Sequence, residues 1–264
     1  MVKFRLIFMA YALITGATAG IGNAFTRLLA AKKYDLVLVA RDVARMEEQA
    51  STYREKYGIK VEVLRADLSK LDEIARVEKR LQDLAAPIDV LINNAGFGLN
   101  KAFSSSHIDD EQQLLDVLVT APVRLTHAVL PQMRSRKSGI VINVSSFAGW
   151  IAGGTYSAAK SYMTVFSESL NTELRKKGVK VMALCPGFTH TEFHQRGQMK
   201  MGGLPSFMWL DADRVVKDGW DAAQKGAAVC IPGAQYKALA WLSQKAPRGL
   251  VRRIGMGVRV RQRR

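Results

Sequence analysis

The stretch Ile14-Thr15-Gly16-Ala17-Thr18-Ala19-Gly20-Ile21-Gly22 decides how this chain folds. An apolar run ends at Ile14 and a helical pattern begins at Ile21, so the glycine-spaced residues between them make a strand-to-helix turn. Gly16 allows the turn to be tight, and Gly20 lets the backbone approach a pyrophosphate with no Cβ in the way. Gly22 lets the following helix pack close on the sheet. The N–H groups at the start of that helix then face the anion. The spacing is G-x-x-x-G-x-G rather than the commoner G-x-G-x-x-G.

Outward from this turn, apolar β-branched runs recur at 11–15, 35–40, 60–66, 89–93, 139–145, 179–185 and 227–231, with longer helical patterns between them. The alternation predicts an α/β fold, a Rossmann-type doubly wound parallel seven-stranded sheet with helices on both faces. Ser69 followed by Asp72 reads as a capping pair opening one helix, and Gly58 and Gly178 stand where helices should stop. Ligands of such sheets bind beyond the carboxyl ends of the strands, where the motifs below fall.

With 264 residues and 48% hydrophobic content, the chain suits one large domain over 1–235 followed by a basic extension over 236–264. Cys185 and Cys230 lie in apolar runs without C-x-x-C spacing, which suits free thiols in a reducing cytoplasm rather than a disulfide or zinc site. The apolar stretch from Leu6 to Ile14 is far shorter than the roughly 20 residues that span a bilayer, so it reads as the first strand with a short extension. The net charge is +16, and after Asp221 ten basic residues follow without an acidic one. From Lys245 onward Arg alternates with Leu, Val, Ile and Met, which suits a solvated or partner-bound tail or an anionic lipid surface. Nucleic acid would feel the same field, but no recognition module accompanies it.

Four further motifs complete the pattern: Asn93-Asn94-Ala95-Gly96, Ser145-Ser146, Tyr156-Ser157-Ala158-Ala159-Lys160 and Pro186-Gly187-Phe188-Thr189-His190-Thr191. The Tyr-Lys pair is four residues apart, so one helix face carries both, and an ammonium beside a phenol lowers its pKa toward working pH. In order and interval these motifs resemble the short-chain dehydrogenase/reductase family over about residues 10 to 235.

The resemblance implies NADP as cofactor, with NAD as the alternative. Gly16, Thr18, Gly20, Ile21 and Gly22 would hold the pyrophosphate, and Asp67, with Leu68 beside it, the adenine. Arg41 stands where NAD-binding relatives carry an acid and would take the 2′-phosphate, with Arg45 as a helper; a solvated surface Arg is the plainer alternative. Asn94, Ala95 and Gly96 would lie near the adenosine ribose. Pro186, Gly187, Thr189 and Thr191 would shape the nicotinamide wall, Thr191 bonding the carboxamide, and Lys160 would reach the nicotinamide ribose. Tyr156 becomes the general acid or base, Lys160 its tuner and Ser146, or failing it Ser145, the carbonyl anchor.

One position departs from the family. Leu118 occupies the place of an Asn that positions a water for proton relay, so the expected enzyme is a working but altered carbonyl reductase. A catalytically impaired NADP(H)-binding sensor is the competitor. Met199, Met201, Phe207, Met208 and Trp209 fall in the family's mobile lid and suit a lipophilic substrate. Family habit adds a homodimer or homotetramer through the helices near 110–135 and 155–177. His190, Glu192 and His194 form H-x-E-x-H, which is not a zinc motif, so no metal is expected.

Overall fold

A computed structural model describes residues 10–197 and 205–253. The expected N-terminal extension, lid residues Met199 and Met201 and the arginine-rich 254–264 lie outside the described residues.

The strands are β1 (Tyr11–Thr15), β2 (Asp35–Ala40), β3 (Val61–Arg65), β4 (Ile88–Asn93), β5 (Gly139–Val144), β6 (Val179–Leu184) and β7 (Val229–Cys230). Among the described residues they form one parallel seven-stranded sheet in the order β3-β2-β1-β4-β5-β6-β7. Each expected strand is present, and β7 keeps only two residues of the expected run because β6 pairs with it only at Ala183 and Leu184.

Alternation along β1 shows how the sheet buries both faces. Ala12 and Ile14 pack with Phe25 and Leu29 of α1 (Gly20–Ala31), whereas Leu13 faces Leu125 and Val129 of α5 (Ala121–Arg136). α2 (Val43–Tyr57) joins the α1 face through Met46 and Ala50, and α3 (Leu71–Leu81) joins the opposite face through Ile74 and Val77. The order reverses between β1 and β4, so the ligand crevice opens at their carboxyl ends.

Gly58 and Gly178 end their helices in the left-handed region, at φ 63° and 81°, as expected. The capping pair is a correction. Ser69 does not cap α3; its N–H and hydroxyl both donate to Asp67 Oδ1, at 3.1 and 2.8 Å. Glu73, at the third position of α3, instead reaches back to the Asp67 N–H at 2.8 Å.

α4 (Ile108–Leu115) runs into α5 through a π-helical turn, Asp116–Thr120. Pro122 explains that turn: it has no N–H to give the Leu118 carbonyl, and its ring crowds the same oxygen. The whole stretch Ile108–Arg136 is long and apolar enough to cross a membrane by composition, but half of its most apolar window is buried within the molecule.

After β6 come the short α7 (Phe193–Arg196) and α8 (Ala212–Gln224), which covers the α1 face, and α9 (Ala234–Lys245) follows β7. Tyr236 and Ala240 of α9 are buried, so the packed body continues past the expected boundary at 235.

Candidate active site

The glycine turn closes against the N-N-A-G segment through one threonine and one asparagine. Thr15 Oγ1 accepts from the backbone N–H groups of Asn94 and Ala95 at 2.9 and 3.0 Å, and Asn94 Nδ2 donates to the carbonyls of Thr15 and Gly16 at 3.0 and 3.1 Å. Gly16 has φ +64°, and a Cβ there would lie 2.9 Å from Ala95 Cα. A Cβ on Gly22 would overlap the Gly16 carbonyl oxygen and Asn94 Nδ2. At the cap of α1, Ala19 offers no side-chain bond, and the first turn holds no acid, so its N–H groups stay available to an anion.

Below the adjoining strands a buried polar chain fixes α6 (Thr155–Leu174). Asn93 Nδ2 donates to Asn143 Oδ1 at 2.8 Å, Asn143 Nδ2 to Ser167 Oγ at 2.9 Å, and Ser167 Oγ to the Met163 carbonyl at 2.6 Å. This ties β4 and β5 to the helix that carries Tyr156 and Lys160. Burial makes such a chain costly to break, because each group would be left unpaired.

A cavity of about 960 Å³ opens over these strand ends. Gly16, Thr18, Gly20 and Ile21 line it, with Asn94, Ala95 and Gly96. Ser146, Tyr156 and Lys160 line the same cavity, as do Pro186, Gly187, Thr189 and Thr191. Gly22 lies beneath the loop as a packing glycine.

Arg41 and Asp67 sit at the ends of β2 and β3, outside the lining, and the buried Leu68 side chain belongs to the core. Burial pushes the Asp67 carboxyl up, but the two Ser69 hydrogen bonds and the Arg41 and Lys70 charges together hold it below its ordinary value. Arg45 is committed elsewhere: its guanidinium pairs with both Glu192 oxygens, at 2.6 and 3.2 Å, joining α2 to the loop after β6.

The two serines separate cleanly. Ser145 is buried, with Oγ 2.7 Å from the Lys160 carbonyl and 2.8 Å from Thr164 Oγ1. Ser146 caps a 3₁₀ turn, Phe147–Trp150, by accepting from the Ala148 N–H at 3.1 Å, and its hydroxyl acts on Tyr156 to pull the phenol's pKa down. The geometry therefore favours Ser146 as the serine facing the phenol.

Lys160 Nζ donates to the Val144 carbonyl at 2.7 Å and lies 5.7 Å from the Tyr156 ring centre. The expectation that the amine acidifies the phenol is not met in this pocket. Burial raises Tyr156 to about 12, with the Ser146 bond pulling the other way, and burial lowers Lys160 to about 8. Desolvation opposes the charged form of both groups and is the largest influence on each.

Leu118 is buried beside this pair, with Leu114 and Ala159, and a Cβ on Gly96 would come within 2.8 Å of its Cδ2. Beneath it a void of about 10 Å³ is shared by Leu118, Lys160 and Asn93, and Asn93 Oδ1 has no hydrogen-bond partner. Such a void is about the size of one water.

Sequence reading missed Tyr236. Its ring lies on Gly187, where a Cβ would overlap it; its hydroxyl accepts from the Phe188 N–H at 2.9 Å and donates to the Met208 carbonyl at 2.6 Å. The contact joins residues 48 apart, and no local pattern announces it. Phe193 also carries no local sequence signal, and its ring centre lies 5.9 Å from that of Tyr156. His190 stacks on Trp209 with ring centres 4.6 Å apart, and Glu192 is the partner of Arg45.

The sheet order and the glycine cradle, with a Tyr-Lys pair in the adjoining cavity, define a Rossmann-type dinucleotide-binding protein. The chain belongs to the short-chain dehydrogenase family, whose profile, described as short chain dehydrogenase, matches residues 10–201. A short-chain dehydrogenase from Sphingobium yanoikuyae in complex with NADPH superposes with a TM-score of 0.81 at 33% identity, covering 90% of this chain and 94% of that one. The bulky-bulky ketone specific alcohol dehydrogenase from Comamonas testosteroni gives 0.78 at 31% identity, covering 90% and 93%. The very-long-chain 3-oxoacyl-CoA reductase of Laccaria bicolor is 34% identical over 177 residues, 65% of this chain and 52% of that reductase. The chain thus spans about half the length of that relative.

Proposed function

We propose that the protein is an NADP(H)-dependent oxidoreductase that interconverts a bulky, lipophilic carbonyl compound and its alcohol. The observation that carries the reading is the meeting of Ser146, Tyr156 and Lys160 in one cavity continuous with the glycine cradle. The cradle fits a dinucleotide: its glycines leave no Cβ in the way and the α1 terminus leaves its donors unspent. When bound there, the nicotinamide supplies a hydride to, or accepts one from, the substrate carbon.

The protein's own part is proton handling and orientation. Ser146 donates to the carbonyl oxygen and steadies the charge developing on it, while Tyr156, protonated because its pKa is high, gives that oxygen its proton. Lys160 in its charged form stabilises the phenolate left behind. Leu99, Phe147, Ile151, Phe193 and Leu239 line the cavity and match a large apolar substrate, as do the relatives named for bulky ketones and very-long-chain 3-oxoacyl-CoA.

The pH dependence follows. Reduction needs protonated Tyr156 and charged Lys160, so kcat for carbonyl reduction stays level below about pH 8 and declines above it as Lys160 loses its proton. Alcohol oxidation needs the phenolate beside charged Lys160, so it climbs with pH up to about 8 and levels off above it. Paired pH–rate profiles check this, and an oxidation rate that falls between pH 8 and 10 would contradict it.

The cofactor is tested by a panel of aldehydes, ketones and alcohols run with both nicotinamide cofactors. In that assay Arg41→Asp is expected to raise KM for NADPH about tenfold or more and leave KM for NADH little changed, because a charge-assisted phosphate bond is lost. An unchanged NADPH preference would remove Arg41 from the site.

A second reading, a dinucleotide-binding sensor without turnover, is favoured by Leu118, which seals the space beneath Lys160 with hydrocarbon. Tight NADPH binding with no turnover across the panel would decide for it. A homodimer or homotetramer through the 110–135 and 155–177 helices belongs to the same proposal, supported by Tyr162 and Val165, which stand exposed on α6. So does contact of the basic C-terminal segment with an anionic surface.

A further inference from the structure

The mouth of the large cavity is an apolar rim set among cations. Tyr236 and Ala240, one turn apart, face inward and anchor α9 to the body. The rest of the segment turns apolar side chains outward: Trp241 is 60% exposed, Leu242 52% and Leu250 50%. Water does not favour bulky apolar groups left this open, and a cluster of them marks a contact surface. These same three residues line the cavity that holds Tyr156 and Ser146. Lys245 lines it too, while Arg248, Arg252 and Arg253 are exposed just beyond.

We infer that this face docks on an anionic lipid bilayer and that lipophilic substrate enters the cavity from the membrane through the rim of Trp241, Leu242 and Leu250. Charge selects the occupant. Since Lys245, Arg248, Arg252 and Arg253 stand at this rim, a second copy meeting it by two-fold symmetry would oppose cation to cation. An anionic headgroup layer neutralises them, each basic residue near the surface contributing attraction that salt screens. Trp241 suits the headgroup boundary, where an indole finds an apolar side and a polar one. The docking places the opening of the cavity, rather than its back, at the acyl region. The inference rests on the reading of the cavity as a site for a lipophilic carbonyl compound.

Co-flotation of the full chain with vesicles tests it, comparing phosphatidylcholine alone with a mixture containing phosphatidylglycerol. NADPH binding, followed by fluorescence in the same preparations, reports separately on the fold and the cofactor reading. The wild-type chain is expected to partition at least tenfold more onto the anionic vesicles, and high salt to remove most of that gain. The triple variant R248E/R252E/R253E should lose the anionic preference, and Trp241→Ser should lower partitioning onto both vesicle types, with NADPH binding kept in both variants. Equal partitioning onto the two vesicle types would overturn the inference. So would a patch-dependent dimer in sedimentation that excludes vesicles, or tighter retention by RNA than by anionic lipid.

Discussion

Tyr156→Phe is expected to lower kcat for carbonyl reduction by about 10²- to 10⁴-fold, the range that general acid–base help supplies. The substitution removes one hydroxyl and leaves the ring. That ring packs in the cluster of Leu114, Leu118 and Ala159 and beside Phe193, so packing and the neighbouring cradle stay intact. NADPH affinity should therefore change only a fewfold, and the loss should fall on kcat rather than KM. Steady-state kinetics beside a fluorescence titration separates the two. A variant that keeps most of its kcat would mean that another group delivers the proton.

Gly22→Ala should have the second large effect, on binding and stability together. The new methyl group would overlap the Gly16 carbonyl oxygen and Asn94 Nδ2. Neither can yield cheaply: the carbonyl belongs to the turn itself, and Asn94 Nδ2 is bonded to both Thr15 and Gly16. Relief has to come from moving α1 away from β1, which opens the cradle. Overpacking of this kind costs about 1–3 kcal/mol, equivalent to a fall in Tm of about 2–12 °C for a chain of this size. NADPH affinity should drop at least tenfold. Gly249→Ala is the control, since a Cβ there meets nothing within 4 Å, and it should leave both quantities unchanged.

The fold was legible because its signals are local. Strand runs such as 36–40 and 181–184 are continuous and apolar as sheet buried on both faces requires, and Gly58 and Gly178 mark helix ends by their backbone needs. The candidate site was legible where short motifs sit at strand ends. The pairing of Arg45 with Glu192 was not, because it spans 147 residues and depends on how two loops converge. The choice between Ser145 and Ser146 also needed three dimensions, since the Lys160 carbonyl and Thr164 engage the first. The direction of the Tyr156 shift failed for a different reason: spacing gives the distance to Lys160, but burial decides which charged form the pocket tolerates. Ser69 misled as a cap because Asp67, two residues before it, offers its hydroxyl and N–H a closer acceptor.

The most direct measurement is a crystal structure of the protein with NADP⁺. The pyrophosphate is expected on the α1 terminus and the nicotinamide between Tyr156 and the wall formed by Pro186, Gly187 and Thr189, with the Tyr156 and Ser146 hydroxyls turned toward the same open space. A nucleotide lodged elsewhere, or a Tyr156 hydroxyl turned away from the ring, would contradict this.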